Sequence, residues 1–325
     1  MTVKKMLVMA AAAVVLTGCV TNDSWNDGEQ SEIKMEAIGK VANRAIVEGA
    51  NVPDDFDFTV FGFYTTDSFA ATSQFAMWDV ECSKQGSYFK HATDSYYWPW
   101  TGEVGFYAVS PASVEPSVAW ASGVTLVDYT VLGAESDDLM FAYNKGSNQA
   151  AALNMVFHHA LAQVEVALNT DKAYNGVTLA VTGISFENID TTASCIYKES
   201  SPADQTSNPS ISWSGNANYT STEVYSSTPQ TVTYNKVDGV ATPVTYGDGV
   251  VVIPQTMDAT SEIAIGYALT QNGQTIEGVV KRPITTTWVQ GNKYIYTLTF
   301  SLNEILFNPS ATDWVKVDSD SISIE

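Results

Sequence analysis

From residue 56 to residue 302 the apolar residues come in short alternating runs, and turn-forming residues separate one run from the next. Ile263, Ile265, Tyr267 and Leu269 share one parity, as do Tyr294, Tyr296, Leu298, Phe300 and Leu302. A period of two places successive side chains on opposite faces of an extended strand. Phe56 to Tyr64, Val104 to Val109, Val156 to Leu168, Val177 to Phe186 and Val250 to Pro254 are further β-rich runs. Asn272-Gly273 stands between two of them, and that dipeptide supplies the positive-φ positions of a tight hairpin. No long segment keeps helical periodicity. Many short strands punctuated by turns predict an all-β chain of antiparallel sandwiches. Residues 199–221 and 226–247 are rich in Ser, Thr, Asn, Pro and Gly and read as long surface loops or frayed hairpins.

At 325 residues the chain has room for about two domains of ~150 residues. A break at Lys145-Gly146-Ser147-Asn148 predicts one domain over 45–148 and a second over 149–325. The formal charge of -21 makes nucleic acid a poor partner. Aromatic residues at 11%, with β-branched residues throughout, set this acidity apart from that of a disordered chain. It predicts a solvated, self-repelling surface.

The N-terminus predicts export. Lys4 and Lys5 precede an apolar run from Met6 to Leu16 that closes on Leu16-Thr17-Gly18-Cys19. The run is shorter than the roughly 20 apolar residues of a spanning helix, and its flanks are those of a cleaved lipoprotein signal. Residues 1–18 are then the signal peptide. Cys19 becomes the N-terminus and carries the lipid, palmitate included, on the outer side of a bacterial cytoplasmic membrane. An ordinary signal with a chance Cys is the alternative. Residues 20–31 are polar and unpatterned, as a tether would be. Beyond them Ile33, Met35, Ala37, Gly39 and Val41 alternate with Glu32, Lys34, Glu36, Ile38 and Lys40, the pattern of a half-buried strand with charge outward. With Cys19 lipidated, Cys82 and Cys195 remain, and two buried free thiols are favoured over a disulfide.

Catalytic chemistry finds little support. The chain has three His. His91 lies in a polar stretch, and His158 and His159 are adjacent on a predicted strand and point to opposite faces. Packed, hydrogen-bonded His is the reading for that pair. No Gly-x-Ser-x-Gly, His-Glu-x-x-His, Cys-x-x-Cys, phosphate loop or dinucleotide fingerprint occurs. No catalytic residue, cofactor or metal site is expected. Asp54-Asp55, Asp137-Asp138 and Asp318/Asp320 could ligate calcium, but none has the spacing of a dedicated loop, and solvated surface charge is the favoured reading. In Tyr96-Tyr97-Trp98-Pro99-Trp100 the favoured reading sends alternating aromatics into a core; exposed, coplanar rings would instead stack on sugars.

Taken in order, several segments resemble the fimbrillin family, the pilin precursors of type V fimbriae of Bacteroides-type bacteria. They are Leu16 to Cys19, the Arg44-Ala45 step, Tyr97-Trp98-Pro99 followed by Val104 to Pro111, Phe157 to Val164, Ile253-Pro254-Gln255-Thr256, and Trp288 to Tyr296. The loops over 199–247 are not distinctive of the family. The resemblance implies two transthyretin-like, Greek-key β-sandwich domains. It also implies export as an outer-membrane lipoprotein, cleavage between Arg44 and Ala45 by an Arg-specific surface protease, and assembly with other copies or related subunits in a surface fimbrium that supports adhesion and biofilm. Residues 19–44 are then a tether and a removable first strand with Ile33, Met35, Ala37 and Val41 on its apolar side. Deleting such a strand opens a groove that another subunit can fill by strand addition. The C-terminal tail offers Val315 and Val317 on one parity and Ile322 and Ile324 on the other, a candidate donor if a bulge resets the phase. Two other readings stay open: a surface glycan-binding lipoprotein, and a fimbrial anchor that keeps its lipid.

Overall fold

The computed structural model describes residues 30–39, 52–131, 136–199, 211–215, 221–226, 228–301 and 305–313. In chain order the strands begin with β1 (Met35–Ile38), β2 (Asp57–Thr65), β3 (Ser73–Gln85), β4 (Tyr88–Lys90), β5 (Glu103–Ser110), β6 (Ser117–Ala119), β7 (Gly123–Thr130) and β8 (Met140–Gly146). Next come β9 (Leu153–Val156), β10 (His158–His159), β11 (Ala162–Thr170), β12 (Val177–Ile189), β13 (Thr192–Tyr197), β14 (Ile211–Gly215), β15 (Ser221–Ser226) and β16 (Gln230–Val232). The last are β17 (Lys236–Val237), β18 (Val240–Ala241), β19 (Val244–Val252), β20 (Glu262–Gln271), β21 (Gln274–Pro283), β22 (Asn292–Phe300) and β23 (Ile305–Asp313). No helix occurs among the described residues, and the fold is all-β as the alternation predicts.

Three apolar cores organise these strands. The first sheet runs β10-β8-β5-β2-β3-β4-β1-β9 and folds over, so that Phe58, Val60, Phe106 and Ala108 face Met35, Phe89, Met155 and Phe157 in one core. The opposite faces of β2, β5 and β8 carry Phe61, Phe63, Tyr107, Val109, Phe141 and Tyr143. There they pack on Val124, Leu126, Cys195 and Tyr197 of a second sheet, β14-β13-β7-β6. Strands buried on both faces read as continuous apolar runs. That is why Val104 to Val109 shows no alternation.

The third core lies between the sheets β19-β11-β22-β23 and β15-β12-β20-β21, and β16 also pairs with β12. Here the period of two holds: Ile263, Ile265, Tyr294, Tyr296, Leu298 and Phe300 all face inward. The hairpin between β20 and β21 turns at Asn272 (φ 51°) and Gly273 (φ 76°), the positive-φ pair that the dipeptide predicts.

Several expectations change. The run from Val156 to Leu168 is not one strand, because the chain crosses there from the first sheet to the third core. Ala160 donates to the carbonyl of Leu139 and, one residue on, the carbonyl of Leu161 accepts from Gly291, both at 2.8 Å. Of the stretches expected as loops or frayed hairpins, β17 and β18 form an exposed two-stranded hairpin, whereas β14 and β16 join the larger sheets through isolated buried residues such as Ile211 and Val232. Pairing is also not wholly antiparallel: β1 lies parallel to β9, and β11 to β22. The first sheet also includes β9 and β10, and β13 pairs with β7.

Candidate assembly site around the first strand

The first strand is a core element of the structure. Ile33 is 2% exposed and Met35 1%, with Ala37 packed partly buried behind them. Met35 sits opposite Phe89 in antiparallel register, and Met35 to Ile38 run parallel to Leu153 to Val156. Backbone bonds extend the pairing at both ends. Ile33 donates to the carbonyl of Tyr96 at 2.7 Å, Trp98 to Ser31 at 3.0 Å, Leu153 to Lys34 at 2.8 Å and Phe157 to Ile38 at 2.8 Å. The surrounding wall is aromatic. Phe157 packs on Phe56 and Phe58 with centroids 5.0 Å away in each case, Phe89 lies 5.6 Å from Phe58, and Trp98 lies 5.8 Å from Phe106. Burying Ile33 and Met35 contributes about 1.5–3 kcal/mol each.

A polar cluster marks one end of the strand. Lys90 Nζ donates to Glu32 Oε1 at 2.8 Å, Ser95 Oγ donates to the same oxygen at 2.9 Å, and Lys34 Nζ lies 3.8 Å from Oε2. The hydrogen bond from Lys90, then that from Ser95, hold the Glu32 carboxyl below its ordinary pKa. Charged residues alternate outward here as the sequence predicts, but the specific Lys90–Glu32–Ser95 contact carries no signal at the level of periodicity. It joins positions 58 and 63 residues apart.

The predicted site residues divide by location. Ile33, Met35 and Ala37 are brought together in the first core. Val41, Cys19, Arg44 and Ala45 lie outside the described residues, as do the tail candidates Val315, Val317, Ile322 and Ile324. Cys82 and Cys195 are free and buried in separate cores, and burial pushes each thiol up to about 12.

Two polar expectations are corrected or refined. Asp138 is not a solvated surface charge: its side chain is 1% exposed and its Oδ2 lies 2.7 Å from His159 Nδ1. A carboxylate leaves water at modest cost only with such a partner. Asp54 does stand exposed and pairs with Lys84, while Asp318 and Asp320 are outside the described residues. His158 and His159 are both buried. In the aromatic cluster Trp98 is fully buried, whereas Tyr97 is 51% exposed and Trp100 55%. A separate cavity of about 580 Å³, lined by Tyr174, Tyr234, Tyr267, Arg282 and Phe300 among others, lies in the other half of the molecule and touches none of these residues.

The fold and the docked strand define an all-β protein whose first core is closed by its own N-terminal segment. The chain belongs to the fimbrillin-like family, whose model matches residues 44–314. Among solved structures it is similar to a proposed cell adhesion protein of Bacteroides ovatus, at 14% identity over 90% of this chain and 100% of the other, with a TM-score of 0.53. A proposed cell adhesion protein of Bacteroides uniformis aligns at 18% identity over 87% and 98% of the two chains with a TM-score of 0.44. A fimbrial assembly protein of Parabacteroides distasonis aligns at 11% identity over 88% and 97%, with a TM-score of 0.36. A search of curated proteins finds no match. Family membership makes this a structural, non-enzymatic protein of the cell surface and supports a fimbrial subunit.

Proposed function

We propose that this protein is a structural fimbrial subunit that is exported as a lipoprotein on Cys19, cut after Arg44 and polymerised by strand donation. The observation that carries this reading is the burial of Ile33 and Met35 in the first core, on a strand that precedes Arg44 in sequence. Cleavage at that point would leave β1 held by pairing and burial alone. Its departure would expose the aromatic wall of Phe56, Phe89, Trp98 and Phe157 and the edges of β4 and β9. An apolar groove with unpaired backbone on either side is a site for β-augmentation. Val315, Val317, Ile322 and Ile324 make the C-terminal tail of another copy the candidate donor. An Arg-specific surface protease and the outer membrane, through the lipid, are the partners of the precursor.

The test is the Arg44→Ala variant. It should remain a lipid-bearing monomer, while the unaltered chain yields high-mass, lipid-free polymers. Polymers of the variant that lack lipid would overturn the processing step. A second reading, a surface glycan binder that retains lipid and first strand, draws on the exposure of Tyr97 and Trp100. Wild-type protein that stays uncut at Arg44 on the cell surface would favour it.

A further inference from the structure

We infer that Lys90 and Ser95 form a carboxylate address that sets the register of the incoming strand, and that Glu325 of a second copy is the carboxylate they receive. This inference rests on the strand-donation reading above.

In the intact chain both groups are spent on Glu32 Oε1, at 2.8 and 2.9 Å. The contact is half-enclosed, with side-chain exposures of 33% for Lys90 and 20% for Glu32. Loss of the first strand removes Glu32 together with Lys34, its other cation. Lys90 is then left without a carboxylate, at the mouth of the apolar groove. A charge-assisted bond of this kind outweighs a neutral one and discriminates by register. A donor therefore needs an acidic residue, an apolar residue beside it and a second apolar residue two further on, reproducing Glu32-Ile33-Lys34-Met35.

The C-terminal tail meets that requirement only when it runs in the opposite direction. Read backwards, Glu325-Ile324-Ser323-Ile322 places an acid over Glu32, and β-branched or apolar groups over Ile33 and Met35. Asp318-Val317-Lys316-Val315 has the same backward pattern, and reach separates the two. Counted from Asp313, the end of β23, Glu325 is twelve residues away, or about 40 Å of extended chain, whereas Asp318 is five away, or about 16 Å. The groove must hold a strand in a neighbouring molecule, which favours the longer arm. Reversal exchanges the two pairings of the groove: the first strand lies parallel to β9 and antiparallel to β4, and a reversed donor would lie antiparallel to β9 and parallel to β4.

Zero-length carbodiimide coupling of full-length protein, before and after cleavage by an Arg-specific protease, tests the assignment by mass spectrometry. The uncut chain should give an intramolecular Lys90–Glu32 link, and the polymer an intermolecular Lys90–Glu325 link. Glu325→Gln should still polymerise, but with chains that dissociate about tenfold faster, and Lys90→Met should show the same loss without adding to it. Polymers that lose no stability in either variant would overturn the address and leave strand donation standing. A dominant Lys90–Asp318 link would overturn the choice of Glu325. Polymers that form normally after deletion of residues 314–325 would overturn the donation reading itself.

Discussion

Phe157 donates its backbone N–H to the carbonyl of Ile38 at 2.8 Å, tying the last residue of the first strand to the point where the chain leaves the first core. The same Phe157 ring packs on Phe56 and Phe58. Strand pairing and core packing are therefore coupled at one residue, and a change in the first strand should be felt at Phe157 before it is felt elsewhere.

Met35→Ala tests that coupling. Removing a buried Met costs about 2–5 kcal/mol, so hydrogen exchange at the amides of Leu153 and Phe157 should speed up by at least tenfold. Exchange in β11 and β22 should not change, since they belong to the third core. Equal protection of Leu153 and Phe157 in variant and parent would show that the strand is not docked as described.

The Glu32 contact gives this docking a pH dependence. Its carboxyl is held below 4.5, the ordinary value, by Lys90 first and Ser95 second. A depressed folded-state value means that the stabilisation is complete above about 4.5 and fades as pH falls through the folded value. Exchange at Met35 should accelerate relative to the intrinsic rate in that acid window. Glu32→Gln should remove the pH-dependent part, and an unchanged profile in that variant would refute the assignment.

The two buried thiols report on separate cores. Burial raises Cys82 and Cys195 to about 12, so at pH 8 only about one thiol in ten thousand is ionised. Iodoacetamide should leave both unmodified in native protein and label both in denaturant. Labelling of either thiol in native protein within minutes would contradict its placement.

Breaking the Asp138–His159 pair should be costly. Asp138→Ala leaves His159 in a site with 3% side-chain exposure, and a buried hydrogen-bonding group deprived of its partner costs about 1–3 kcal/mol. The midpoint of denaturant unfolding should fall accordingly. A change under 1 kcal/mol would assign the pair to the surface.

The parts of the fold legible in the sequence were those where one face meets a core and the other meets water. Ile263 and Ile265, and Tyr294 to Phe300, face the core on the parity that the sequence predicts, and Asn272-Gly273 turns its hairpin, because period and turn chemistry are local. What the periodicity could not reveal was non-local. Nothing in the run from Val156 to Leu168 marks the crossing at Ala160-Leu161, and nothing near Asp138 announces His159, 21 residues on. Over β14 to β18 the sequence leaves loop and frayed hairpin open, because polar residues on short edge strands resemble loops when their partners are unknown. The first strand was readable from Ile33, Met35 and Ala37, but its parallel partner β9 was not, since alternation specifies a face and never a neighbour.

The central claim is that the body of the mature subunit begins after the first strand. Intact-mass measurement of protein released from the cell surface tests it most directly. Residues 19–44 carry Lys34, Lys40 and Arg44 against Asp23, Asp27, Glu29, Glu32 and Glu36, so the cut after Arg44 removes a net charge of only -2, and the loss of mass is the larger change. The account requires a lipid-free chain that begins at Ala45. A released chain that still carries residues 19–44, with or without lipid, would contradict it.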